Sequence, residues 1–156
     1  MRPLLFLDVD GTLLPYGPTR SLFLLEERDD WQNRQLAKAV TEHGPRLLAL
    51  PCELVWATAW MEGANEALGP LLGLPKLPVA DLPEPSRHEV GMLHWKTRAL
   101  VETASGRPFV WVDDEITDVD RAWVSVHHCG RALLHRVDSE VGLTDADFAV
   151  VDRWLR

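Results

Sequence analysis

Leu4-Leu5-Phe6-Leu7-Asp8-Val9-Asp10-Gly11 begins with four consecutive apolar residues and stops at two acids and a glycine. An apolar run without alternation suits a strand buried on both faces, the usual state in a parallel sheet covered by helices. The acids then stand at its carboxyl end, where Gly11 lets the backbone bend away without a Cβ clash. The same pattern recurs twice. Leu54-Val55-Trp56-Ala57 stops at Thr58, and Phe109-Val110-Trp111-Val112 stops at Asp113-Asp114. Weaker strands are expected at 77–80, beside prolines, and at 132–136.

Helical patterns lie between and after these runs. One is expected from Met92 to Ser105, stopped by Gly106; a second is capped by Asp118 and carries Ala122, Trp123 and Val126. The last starts at Thr144, with Asp145 and Asp147 in its first turn and Phe148, Val151 and Leu155 on one face. Residues 35–40 fit helix or strand, while 15–33 and 82–91 read as loops. Alternating strands and helices predict an α/β domain with a mostly parallel, five-stranded sheet and helices on both faces. Residues 1–156 are expected to form one such domain, since the length suits one ordinary core.

Composition narrows the partners. The chain is 46% hydrophobic and 26% charged, near globular averages, with seven tryptophans as the unusual count. A net charge of −8 argues against general electrostatic binding to nucleic acid and favours a small phosphorylated substrate. Two cysteines, Cys52 and Cys129, lack a C-x-x-C arrangement and read as reduced thiols. The stretch from Met1 to Leu7 lacks the form of a signal peptide, and no apolar run approaches a membrane span. A cytoplasmic protein with no membrane partner is the expectation.

In an open parallel sheet, ligands bind outside the carboxyl ends of the strands, so Asp8, Asp10, Thr58, Asp113 and Asp114 should meet in one crevice. Two carboxylates at one turn can divide a two-step hydrolysis. One can attack phosphorus, while the other protonates the leaving oxygen and then deprotonates the attacking water. An anionic nucleophile needs cations to approach a phosphate, and an oxygen-only donor set points to Mg²⁺. Asp8, the Val9-Asp10 backbone and Asp114 are the expected donors. Lys96 supplies fixed positive charge, and the Thr58 hydroxyl with a neighbouring N–H holds phosphate oxygens. Val9, Gly11, Thr12, Ala59 and Trp60 flank these groups and are the expected substrate contacts.

Asp8-Val9-Asp10-Gly11-Thr12-Leu13, the Thr58 strand end, Lys96 and Asp113-Asp114 together resemble, in order and spacing, the four motifs of the haloacid dehalogenase (HAD) superfamily. That resemblance implies a Rossmann-like three-layer sandwich, Asp8 as nucleophile and Asp10 as acid/base. An acid at the second position is what HAD phosphatases have and dehalogenases lack. The fourth motif fits two family forms, since Asp113-Asp114-Glu115-Ile116-Thr117-Asp118 holds both a paired aspartate and one four residues later; with Asp114 as direct metal ligand in either, the resemblance implies that Asp113 and Asp118 orient waters or Lys96. Trp56-Ala57-Thr58-Ala59-Trp60 and His94-Trp95-Lys96 further resemble a small actinobacterial-type subgroup. The intervals between motifs leave no room for a large cap domain, so residues 15–33 are a candidate short lid.

Three functions are compatible with these residues. The first is a Mg²⁺-dependent phosphatase acting on a small phosphorylated metabolite. The second is a nucleic-acid or protein phosphatase with an open site, and the third is a phosphate-binding module without turnover. The intact set Asp8, Asp10, Thr58 and Lys96 counts against the third. Among the tryptophans, Trp56, Trp111, Trp123 and Trp154 fit core patterns, whereas Trp60 and Trp95 lie close enough to the proposed contacts to wall the pocket or stack on a sugar or base.

Overall fold

The computed structural model describes residues 1–17, 31–87 and 89–156. Most of the candidate lid therefore lies outside the described residues. Among the described residues four strands form the sheet: β1 (Leu4–Leu7), β2 (Glu53–Trp56), β3 (Phe109–Asp113) and β4 (Ala132–Arg136). Their order is β2-β1-β3-β4 and every pairing is parallel. The helices are α1 (Trp31–Leu36), α2 (His43–Leu48), α3 (Gly69–Leu72), α4 (Thr97–Ala104), α5 (Asp118–His127) and α6 (Asp145–Leu155). A π-helical turn, Ala64–Leu68, leads directly into α3.

Strict alternation along buried strands produces the three layers. Leu5 and Leu7 of β1, Leu54 and Trp56 of β2, and Val110 and Val112 of β3 pack on one face with Leu47, Leu68, Leu72, Phe148 and Val151. Their neighbours Leu4, Phe6, Val55, Phe109 and Trp111 pack on the other face with Leu100, Ala104 and Val124. Thus α2, α3 and α6 cover one side of the sheet, and α4 and α5 the other. Both sides of β1 are apolar because both sides are inside.

Four expectations need correction. The loop expected over 15–33 ends earlier, since α1 begins at Trp31. The sheet has four strands rather than five, because residues 77–80 meet β2 through a single parallel bridge between Trp56 and Val79. The Pro78 carbonyl accepts from Trp56 N–H, but Pro78 has no N–H with which to extend a ladder. The helix expected from Met92 starts only at Thr97. His94 N–H donates to Asp120 and Lys96 N–H to the His94 ring, so these amides serve side chains instead of a helical ladder. Finally, Thr117 rather than Asp118 caps α5, in a reciprocal capping box with Asp120.

The expected start of α6 at Thr144 agrees with the structure, where Thr144 and Asp147 form a second capping box. Among the described residues no cap domain interrupts the sheet. No helix there is long and apolar enough to cross a membrane.

Candidate active site

The carboxyl ends of β1, β2 and β3 open into a pocket of about 180 Å³ whose lining includes Asp8, Asp10, Lys96, Asp113 and Asp114. Being central in the sheet, β1 delivers Asp8 between its neighbours, and Asp8 N–H donates to the Val112 carbonyl at 3.2 Å. The chain then turns sharply. The Val9 carbonyl accepts from the N–H groups of Thr12, Leu13 and Leu14, and Gly11 takes φ +77°. A Cβ on Gly11 would be strained at that φ and would crowd the Asp114 carboxylate, so glycine suits this turn.

Lys96 is the hub. Its Nζ lies 2.8 Å from Asp8 Oδ1 and 2.7 Å from Asp113 Oδ2, and all three residues are buried. Thr12 Oγ1 donates to the other Asp8 oxygen at 3.1 Å, while Asp113 Oδ1 accepts from Glu115 N–H. The nucleophile candidate is thereby held from both sides. Asp10 points to Trp60, whose indole N–H donates to Asp10 Oδ2 at 3.0 Å. Thr58 is buried at the end of β2, and its hydroxyl accepts from Trp60 N–H at 3.1 Å, fixing the turn that carries the indole.

Behind Lys96 stands Asp120, fully buried in the first turn of α5. One Asp120 oxygen accepts from His94 N–H and Thr97 Oγ1, each at 2.8 Å; the other accepts from Thr117 N–H and Oγ1. A single carboxylate thus ties the α5 cap to the turn bearing Lys96. The His94 Nδ1 accepts from Lys96 N–H, so Nε2 carries the ring proton and faces Glu115 Oε2 at 3.3 Å.

The electrostatics are those of an under-neutralised acidic cluster. Asp8, Asp113 and Asp114 each place a carboxylate oxygen within 4.8 Å of the others. Burial, followed by the repulsion of Asp113, pushes Asp8 up to about 7 despite the attraction of Lys96. Asp114 is pushed up to about 9 by burial and by the charges of Asp8 and Asp113. Burial would raise Asp113 as well, but its contact with Lys96 prevails and holds it below the usual carboxylate value. Burial opposes the charge on Lys96, yet Asp8 and Asp113 hold its ammonium above its ordinary value. One ammonium cannot offset three carboxylates, and an all-oxygen donor set with surplus negative charge fits a hard divalent cation.

Of the remaining sequence candidates, Ala59 lines the pocket, whereas Val9 is wholly buried in the core. Asp118 lies apart from the acidic trio; its side chain is almost fully exposed and pairs with Arg121 at 2.9 Å. Sequence reasoning missed Tyr16, Glu115 and Asp120. Tyr16 lines the pocket, and burial together with Asp114, Asp10, Asp8 and Glu115 raises its hydroxyl above the ordinary value. Asp120 had a readable signal, an acid three residues after Thr117, in the spacing of a capping box.

Residues 4–148 match the family model described as the HAD domain in Swiss Army Knife RNA repair proteins. The chain belongs to this family, within the HAD superfamily. The HAD domain of effector protein Lem4 from Legionella pneumophila is similar over 99% of this chain and 97% of that one, with 14% identity and a TM-score of 0.53. At that identity the likeness concerns the fold alone. No curated protein matches this HAD domain. HAD domains are in general hydrolases, and phosphatases are common among them.

Proposed function

We propose that this HAD domain is a Mg²⁺-dependent phosphomonoester hydrolase working through an aspartyl-phosphate on Asp8. The observation that carries the reading is the Lys96 ammonium bridging Asp8 and Asp113 inside a pocket shared with Asp10 and Asp114. In the first step an Asp8 oxygen bonds to phosphorus as the ester P–O bond breaks, and Asp10 gives its proton to the leaving oxygen. In the second, Asp10 takes a proton from water as that water attacks phosphorus, releasing phosphate and restoring Asp8. The Trp60 indole holds Asp10 for both transfers, and Thr12 with Lys96 holds Asp8 in line. Asp8, Asp114 and the Asp10 backbone would hold Mg²⁺, with Asp113 steering Lys96 beside them. When bound, the ion supplies Lewis-acid neutralisation of the phosphate charge.

The substrate of the leading reading is a small phosphorylated molecule, supported by the net charge of −8. A second reading, a phosphorylated RNA terminus, is favoured by the family description, which places such domains in RNA repair proteins. The two unpaired cysteines suit a reducing, cytoplasmic setting.

Phosphate release from a panel of phosphorylated metabolites and end-phosphorylated oligoribonucleotides tests the reaction. Wild type should release phosphate only with Mg²⁺. Asp8→Asn should lose at least about a thousandfold and Asp10→Asn about a hundredfold or more, both remaining folded by circular dichroism. Turnover by Asp8→Asn at the wild-type rate would sink the mechanism.

A further inference from the structure

Beside the catalytic pocket lies a second groove of about 260 Å³, lined by Ala59, Met61, Leu82, Pro83, Glu84, Pro85 and Trp95. Ala59, Pro85 and Trp95 line both spaces, so the groove adjoins the acidic pocket. Resting on the phosphatase reading above, we propose that this groove is a leaving-group subsite that takes the nucleobase of a phosphorylated nucleoside. Its composition differs sharply from that of the pocket it joins. The catalytic pocket is carboxylates around a lysine; the groove is an indole, a thioether, two prolines and a leucine, with one acid, Glu84.

Such a wall suits a flat, weakly polar group and not the bare hydroxyls of a sugar. Base stacking on an aromatic side chain is sequence-tolerant because every base has a π-face. The exposed prolines and Met61 supply apolar edges at surface positions where burial in the protein core does not account for them. Met61 also holds a left-handed backbone, φ +51°, directly after the turn made by Thr58 and Trp60, with its N–H bonded to the Thr58 carbonyl. The turn that ends β2 therefore aims a polarizable side chain into the groove at a backbone cost that core packing does not explain. Trp95 is anchored between the site and its support: its ring stacks on buried His94, and Lys96 Nζ lies 5.4 Å from its centroid. A base held on this wall would leave the attached phosphate within reach of Asp8.

The test compares kcat/KM for a nucleoside monophosphate with that for the corresponding ribose phosphate, which lacks the base. Wild type should prefer the nucleotide by roughly tenfold, the scale of one stacking contact. Trp95→Leu should bring the ratio near unity, Trp95→Phe should preserve most of it, and Met61→Ala should lower it severalfold. Equal kcat/KM for the two substrates in wild type would overturn the subsite and leave the phosphatase intact. If wild type releases phosphate from neither of these two but does so elsewhere in the panel, the phosphatase reading stands; silence across the whole panel is what ends it. The groove is then judged by calorimetric titration of the nucleoside monophosphate: saturable binding lost in Trp95→Leu supports it, and absence of binding overturns it. A terminally phosphorylated oligoribonucleotide in the same assay separates the sources, since preference for it marks an RNA end and preference for the mononucleotide marks a free metabolite.

Discussion

Asp8 and Asp114 differ from surface carboxylates because folding removes them from water beside Asp113. Both titrate near 3.8 when unperturbed, and folding raises them to about 7 and about 9. A raised folded-state value means that the folded chain binds the proton more tightly than the unfolded chain does. The stability linked to these protons is complete below about pH 4 and is lost as pH rises through 7 and then 9. Thermal melts of the metal-free protein should therefore show a falling Tm between pH 5 and pH 9. Mg²⁺ should raise Tm more at pH 9 than at pH 5, because the ion takes the place of protons that are already absent at high pH. Asp114→Asn should flatten the upper part of this slope and reduce the Mg²⁺ effect. A Tm independent of pH and of Mg²⁺ would contradict the electrostatic account of the site.

At the scale of elements, the site depends on a turn that is not itself regular structure. Residues 92–96 carry His94 and Lys96, and their amides are held by Asp120 and the His94 ring rather than by α4. Asp120→Ala would orphan His94 N–H, Thr97 Oγ1 and the Thr117 cap at once. Unsatisfied buried polar groups cost roughly 1–3 kcal/mol each, and loss of a cap about 1 kcal/mol. We expect lower stability and a fall in kcat of at least about tenfold, with KM less affected because Asp120 lies outside the pocket. Asp120→Asn keeps one acceptor oxygen, which can serve one of the two donor pairs, and should recover part of kcat. Steady-state kinetics at saturating Mg²⁺ check this, and a variant that melts early yet keeps full kcat would show that Asp120 serves the fold alone.

For the molecule as a whole, charge decides how it meets polyanions. With a net −8, an unphosphorylated oligoribonucleotide should bind too weakly to detect at physiological salt. Fluorescence anisotropy across a salt series checks this; a steep fall in affinity with salt, equivalent to about six neutralised phosphates, would reveal a basic track and favour RNA as the primary substrate. Much of the architecture was legible in sequence. Unbroken apolar runs ending at Asp8, Thr58 and Asp113 announce strands covered on both faces, because a parallel sheet exposes neither side to water. Thr144 and Gly106 likewise marked helix ends through local chemistry alone. The fifth strand failed because Pro78 lacks a donor, and the helix from Met92 failed because distant Asp120 claimed an amide that local pattern assigns to the helix. By itself, then, the sequence determined the strand grammar and the motif that places the chain among HAD domains, since both depend on neighbours along the chain. Tertiary structure alone decided that Lys96 sits between Asp8 and Asp113, that Trp60 holds Asp10, that Asp118 faces solvent, and that an aromatic groove adjoins the acids. Those relations join residues up to 88 positions apart, and only the packing of the sheet and its covering helices sets such distances.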